Sequence, residues 1–426
     1  MTHASQPRVP CGPGDPAIPL ITLALVGIGL VMTFSSSYAV LTGGDGTGDT
    51  YGLLLRQLSA GIGGCGLLLL LWRLGPRAHF NAAPILLAVS VALLVLVFVP
   101  GIGVSANGAR RWVRILGYQF QPSEVAKVAL VLWMARVGSV QRRGARDYQS
   151  FLLLCLIPLV LVLGLIVAEP NLSTALLVML TSLAVMFLAG LRFRDLALIG
   201  VLGVAALAWV VLRTDYMLDR FERKPFPVAV PIEARNYQTQ NCLMAFGNGG
   251  LRGTGLAGSI EKFGHVPFGY NDAIFAIVGE ELGFVGAVGV ILLYGWLLHC
   301  GCRVARTSPD AFSALTAGGL TIGLAGQALA NMLVVTDLIP ATGVNLPFIS
   351  CGGSSLTMTL AAVGLLLSAS RTAGLRPRGG EAVAHLDDRR GYRRAPVPPP
   401  GGGRGPLTPP RASSAGVDVR WGPPRR

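Results

Sequence analysis

Long uninterrupted apolar runs, separated by short clusters of charged, glycine and proline residues, dominate this chain from about residue 17 to 370. A helix needs about 20 mostly apolar residues to cross the hydrocarbon of a bilayer. Ten stretches meet or approach that length, at about 17–40, 53–72, 81–100, 123–137, 151–168, 172–190, 195–212, 273–298, 311–336 and 352–370. The fourth is short and carries charges, so its assignment leans on the topology of its neighbours. Because the runs are continuous rather than alternating, they lack the dyad pattern of barrel strands. The expected fold class is all-α: a polytopic membrane protein of about ten transmembrane helices.

Composition points the same way, with 52% apolar and 13% charged residues and a mean hydropathy of +0.59. That leaves too little polar surface to close a soluble globule. The net charge of +14 would suit a nucleic-acid binder, but its location argues against one. From Arg371 onward twelve Arg face only Glu381, Asp387, Asp388 and Asp418, so eight of the fourteen charges lie beyond the last apolar run. Basic charge beside a final helix marks an inward-facing tail.

The other arginines orient the rest. With an N-terminal cytoplasmic segment at 1–16, Arg73 and Arg77, then Arg136, Arg142, Arg143 and Arg146, then Arg192 and Arg194, then Arg303 and Arg306 all fall inside. Both termini are then cytoplasmic, with a membrane domain over 17–370 and outer loops at 101–122, 213–271 and 337–351. The tail at 371–426 is rich in Pro, Gly and Arg and is expected to be disordered. Arg110, Arg111 and Arg114 violate the rule by falling outside, as do seven basic residues of the long loop, partly offset by five acidic ones. Basic residues on the wrong side invite an anionic ligand as explanation.

The seven cysteines show no disulfide framework. Cys300-Gly301-Cys302 lacks a second ligand pair nearby, so helix-end packing is favoured over metal binding. No cofactor motif is evident, and a divalent cation is left open.

Ionisable residues in or beside membrane spans are costly and commonly functional. Here Glu124, Lys127, Glu169, Asp272, Glu280, Glu281 and Asp337 gather toward the outer side. A solute transporter concentrates such groups near the midplane on interrupted helices in paired repeats. No convincing repeat is found, so the sidedness favours an enzyme working at the outer interface.

Several motifs also resemble a known family. Gly108-Ala109-Arg110-Arg111-Trp112, Gln121-Pro122-Ser123-Glu124-Val125-Ala126-Lys127, the stretch from Tyr237 to Gly258, Asp272-Ala273-Ile274-Phe275-Ala276, Gly279-Glu280-Glu281-Leu282-Gly283 and Leu346-Pro347-Phe348-Ile349-Ser350 are similar, in matching order, to those of the SEDS proteins, which include FtsW, RodA and SpoVE. The resemblance implies ten transmembrane helices in the bacterial cytoplasmic membrane. It also implies polymerisation of lipid II into glycan strands on the outer face, with polyprenyl pyrophosphate-linked glycan as the growing chain and a class B penicillin-binding protein as partner. The sequence departs from the family pattern at Val266-Pro267-Phe268, where Leu-Pro-Glu is usual, at Asn171, where Asp is common, and at Asp337, where Gly is usual.

Asp272 matches the family's essential acidic residue and would act as general base toward a sugar hydroxyl. Its position just before an apolar helix equally suits an N-cap. Arg110, Arg111 and Lys262 are candidates to face the pyrophosphate leaving group, or to contact ordinary headgroups. Lys127, three residues after Glu124, reads first as an internal ion pair and second as substrate-facing. Glu280 and Glu281 lie too far along a helix to share Asp272's reacting atom; a structural partner such as Lys127 is expected, with Glu281 kept as a substrate-binding candidate. The Gly247–Gly258 cluster is not a Walker loop and reads as phosphate-binding backbone or as tight turns. Two rival functions stay open: a flippase for the lipid-linked precursor, and a catalytically altered scaffold for a partner synthase.

Overall fold

The computed structural model describes residues 14–42, 50–106, 109–115, 118–142, 144, 147–213, 237–263, 269–340 and 343–372. All of them belong to a compact unit over Met1–Pro377, and a second unit over Arg378–Arg426 lies outside the described residues. So do the Val266-Pro267-Phe268 departure and, apart from Arg371 and Thr372, the expected disordered tail.

The described chain is an all-α membrane domain with one small sheet. Helices α1 (Ala17–Thr42) and α2 (Thr50–Leu96) lead to strands β1 (Gly103–Ala106), β2 (Ala109–Ile115) and β3 (Tyr118–Phe120). Helices α3 (Pro122–Arg142), α4 (Tyr148–Ala168), α5 (Leu172–Ala189) and α6 (Phe193–Leu212) follow. The chain ends with α7 (Tyr237–Gly249), α8 (Ile274–Thr307), α9 (Ala311–Val335) and α10 (Gly353–Ser370). Among the described residues eight helices are long and apolar enough to cross a membrane.

Two of these helices are not single rods. At 47 residues α2 would run roughly 70 Å, about twice a bilayer core. It breaks at Gly75, with φ 78 and ψ 163, immediately before Pro76. The break falls between the expected spans at 53–72 and 81–100, so the two arms correspond to both. In α8 the break is at Gly283, with φ 68 and ψ −170. The expected span at about 273–298 falls on this helix, and the break is a feature that its apolar content does not reveal. Helix α3 is too polar to pass on hydropathy, yet it is helical and has thirteen buried residues, so its charges meet protein rather than lipid.

The 101–122 loop also differs from expectation, since it folds into an antiparallel sheet ordered β1-β2-β3. Val104 opposes Trp112 and Arg114 opposes Gln119. Alternation along β2 puts Trp112 and Arg114 on one face and Val113 on the other, and a shift of register between Val104 and Ser105 leaves Arg111 as an extra residue, a bulge that interrupts the alternation before Arg110. Val113 is fully buried and Arg110 is exposed.

Hydrophobicity cannot drive helices together in lipid, so close packing of small residues does more of that work. Helix α10, buried over nearly its whole length, packs most extensively on α2. At their crossing a methyl group on Gly364 would come within 2.6 Å of the Leu68 carbonyl oxygen and 2.8 Å of its Cα. Helix α6 is the opposite case, with no buried residue.

The bundle has two chemically distinct ends. At one, Arg136 donates to the Phe80 carbonyl at 2.6 Å and stacks over its ring, Arg371 donates to Trp72, Arg192 covers Tyr148 and Arg303 pairs with Asp15. Asp15 in turn accepts from Arg303 beside Ser370, whose Oγ accepts from the Asp15 amide. This is the end the arginine distribution assigns to the cytoplasm. The carboxylates singled out above are held at the other.

The crossing of α10 on α2 leaves no room for a side chain at Gly364. Gly364→Ala should cost about 1–3 kcal/mol through overpacking, lowering the melting temperature in detergent. Gly27→Ala on α1, where a methyl would meet nothing within 4 Å, should leave the same thermal melt unchanged.

Candidate active site

Asp272 lies in a short non-helical turn that leads into α8, and its position is set by hydrogen bonds from other elements. Ser350 Oγ donates to the Asn271 carbonyl at 2.7 Å and accepts from the Leu346 amide at 2.8 Å. Asn331 Nδ2, on α9, donates to the carbonyls of Asp272 at 2.8 Å and Val344 at 2.6 Å. The Cys351 amide donates to the Tyr270 carbonyl at 3.0 Å. The segment after Gly343 is fixed in its own right, by Gln327 Nε2 on the Asn345 carbonyl, by Gln57 Nε2 on Ser350 and by Tyr294 Oη on Pro347. The Asp272 carboxylate is half-buried, and a methyl placed on Gly343 would come within 3.3 Å of its Oδ2. The N-cap of α8 is Ala273, with no side-chain hydrogen bond at that cap. The N-cap reading of Asp272 is therefore corrected.

Glu124 and Lys127 form the expected ion pair, at 2.9 Å. Lys127 also donates to Gln327 Oε1 at 2.7 Å, and since Gln327 holds Asn345, the pair is linked to the segment that supports Asp272. A cavity of about 50 Å³ opens beside it, lined by Lys127, Gln327, Gly319, Gly323, Thr359 and Ala362 among others.

Glu280 and Glu281 have partners other than Lys127. The Glu281 carboxylate accepts from Lys262 Nζ at 2.8 Å and from Ser35 Oγ at 2.5 Å, with the Lys262 and Glu281 side chains 1% and 0% exposed. Lys262 also donates to Ser35 at 3.0 Å. The geometry takes Lys262 out of the set of accessible cations and makes it a bolt between α1, the loop after α7 and α8. Glu280 accepts from the Ile260 amide at 3.0 Å, from Ser259 Oγ and from Asn248.

The break at Gly283 explains the glycine cluster. It frees backbone groups of α8, and the loop after α7 takes them: Thr254 and Gly255 amides donate to the Glu280 and Glu281 carbonyls, and the Phe284 amide donates to Gly250. This approach needs Gly253, whose Cβ would sit 2.2 Å from the Glu281 carbonyl oxygen. The turn reading holds here. Asp337, where Gly is usual, has φ 61, a left-handed conformation that suits glycine. Asn171 caps α5 through its Oδ1, as an Asp would.

Arg111 donates to the carbonyls of Glu169 and Pro170 at the end of α4, which fastens the sheet to the bundle. The Glu169 carboxyl beneath it is fully buried, and among the described residues neither oxygen has a hydrogen-bond partner. Burial pushes it up to about 8, against the opposing pull of Arg111. Arg110 is exposed. Among the described residues no three His, Cys, Asp or Glu side chains converge as a metal site, and six cysteines there are free thiols.

Reading charges alone missed Gln57, Gln327, Asn331 and Ser350. Gln327 and Asn331, four residues apart on one face of an apolar helix, were the available signal.

Comparison with known proteins places this architecture. The profile of the FtsW, RodA and SpoVE family, described as "Cell cycle protein", matches residues 16–374. The chain belongs to this family. It is 34% identical to the stage V sporulation protein E of Bacillus subtilis, over 84% of this chain and 97% of that one. It is 37% identical to a probable peptidoglycan glycosyltransferase FtsW of Thioalkalivibrio sulfidiphilus, over 84% and 89%. The crystal structure of the rod shape determining protein RodA of Thermus thermophilus matches with a TM-score of 0.62 and 31% identity, covering 85% of this chain and 98% of RodA. A structure described as "Structural coordination of polymerization and crosslinking by a peptidoglycan synthase complex" matches with a TM-score of 0.66 and 30% identity, over 85% and 99%.

Two outcomes follow for this FtsW/RodA/SpoVE member. Lys262→Met strands a buried carboxylate and should cost about 3–5 kcal/mol, whereas Lys262→Met with Glu281→Gln should recover much of the loss in a detergent melt. Glu169 holds its proton more tightly folded than unfolded, so its contribution is full below the ordinary value of 4.5 and is lost as pH rises through about 8. Wild-type melting temperature should therefore fall from pH 5 to pH 8 more than that of Glu169→Gln.

Proposed function

We propose that this protein is a peptidoglycan glycosyltransferase that polymerises lipid II on the outer face of the bacterial cytoplasmic membrane. The observation that carries the reading is a half-buried carboxylate, Asp272, on a turn fixed by Asn331 and Ser350 at the end of the bundle opposite the arginine cluster. The names and activities of the relatives support it.

In this reaction the 4-hydroxyl oxygen of one lipid-linked disaccharide attacks the anomeric carbon of another that carries the growing chain. The bond from that carbon to the pyrophosphate oxygen breaks, and polyprenyl pyrophosphate leaves. The hydroxyl proton passes to the Asp272 carboxylate, which acts as general base. Rigid support matters because a base misplaced by about 1 Å can cost a hundredfold in rate. Arg110 is available to an anionic group, Arg111 supports the sheet beside it, and the Glu124–Lys127–Gln327 network positions the segment behind Asp272.

The topology that goes with this reading has ten crossings and both termini cytoplasmic. A cross-linking partner follows from the product, since glycan strands must be joined, and the family resemblance indicates a class B penicillin-binding protein.

Asp272→Asn keeps the shape and removes the base. The purified variant should make no glycan from lipid II while keeping the wild-type melting temperature. Wild-type polymer yield from that variant would remove Asp272 from the mechanism, and translocation of intact lipid II by wild type without polymer would favour a flippase.

A further inference from the structure

Resting on the polymerase reading, we infer that Arg56, on the outer turn of α2, is a further substrate-binding residue that holds the pyrophosphate of the lipid-linked sugar beside the Asp272 turn. The outer side of the site needs a cation for the leaving group. Lys262 is buried on Glu281, Lys127 is spent on Glu124 and Gln327, and Arg111 holds backbone carbonyls, which leaves Arg110, exposed on the sheet, and Arg56, tied to the Asp272 turn itself.

Arg56 is placed differently. Its neighbour Gln57 is buried and donates to the Ser350 carbonyl at 3.2 Å. Ser350 donates to Asn271, and Cys351 to Tyr270. Two hydrogen-bond steps thus tie the outer turn of α2 to residues 270–272. One turn further on, Thr357 Oγ1 donates to the Ala60 carbonyl at 3.2 Å, which fixes α2 against α10. The Arg56 side chain is exposed, and among the described residues it forms no ion pair and no side-chain hydrogen bond.

Electrostatics agree with this placement. Burial raises Tyr270, with the charges of Cys351 and Asp272 adding and Arg56 opposing. Burial also pushes Cys351 up to about 11, again opposed by Arg56. The same phenol thus feels both the Asp272 carboxylate and the Arg56 guanidinium. An exposed guanidinium on a fixed turn at the membrane edge, without an ion pair among the described residues, is suited to a bidentate diphosphate contact.

The test compares binding of undecaprenyl pyrophosphate with binding of undecaprenol by the full-length protein in detergent. Wild type should prefer the pyrophosphate by about tenfold to a hundredfold. Arg56→Gln should lose most of that preference, and Arg56→Lys part of it. An unchanged preference in Arg56→Gln overturns the proposal, as does an equal loss of binding to phosphatidylglycerol vesicles, which would make Arg56 a headgroup contact. If Arg56→Gln does not fold, Arg56→Lys decides: a several-fold higher KM for lipid II is expected, and an unchanged KM overturns it. Polymer formation by wild type tests the polymerase reading separately. A lost preference in Arg56→Gln with no wild-type polymer would leave the diphosphate site standing and remove the function; polymer with an intact preference would do the reverse.

Discussion

Backbone that is neither helix nor closed sheet can lie at the edge of a bilayer only if protein groups satisfy its N–H and C=O, because lipid offers none. In this protein the turn that carries Asp272 and the segment from Gly343 to Gly352 are such backbone. Side chains from α2, α8 and α9 supply the missing bonds: Gln57, Tyr294, Gln327 and Asn331, with Ser350 bridging the two irregular stretches. The same groups that make the irregular chain tolerable also determine where the Asp272 carboxylate sits. Stability and site geometry are therefore one network here, and loosening any of these side chains would be felt at Asp272.

A second region obeys the same rule by different means. At Gly283 the helix α8 opens, and the loop after α7 donates to and accepts from the exposed backbone, while Glu280 and Glu281 anchor that loop through its amides and Lys262. Burying an ion pair is expensive unless its hydrogen bonds are nearly complete, and Ser35 provides part of that completion. The segment after α7 is thereby bolted to α1 and α8.

The membrane spans were legible in the sequence because span length and apolar content are set by bilayer thickness. The two-ended charge distribution was legible for a similar reason, since arginines of the inner side recur at each inward connection. The Glu124–Lys127 pair was legible from type and spacing. The Lys262–Glu281 pair was not, because its partners lie 19 residues apart across a loop whose course the sequence does not specify. The break at Gly283 was hidden as well: the chain has 56 glycines, and nothing local distinguishes the one that opens a helix from those that let helices touch. The sheet at 103–120 was missed because its strands are short and lie between spans that dominate any reading by hydropathy. The supporting amides escaped because attention to charge passes over neutral polar side chains, although an unpaired amide in a membrane helix also carries a cost.

Helix α6, with no buried residue, has a consequence of its own. Its packing is confined to one face, where Leu196, Ile199 and Leu207 meet the core and Gly203 lies against Met179, so over the rest of its surface the main constraint is apolar length. At 20 residues it spans about 30 Å, close to an average hydrocarbon core, and any change in bilayer thickness must be met by tilt rather than by repacking against neighbours. This helix is thus a gauge of the surrounding lipid: thicker or thinner membranes would change its inclination.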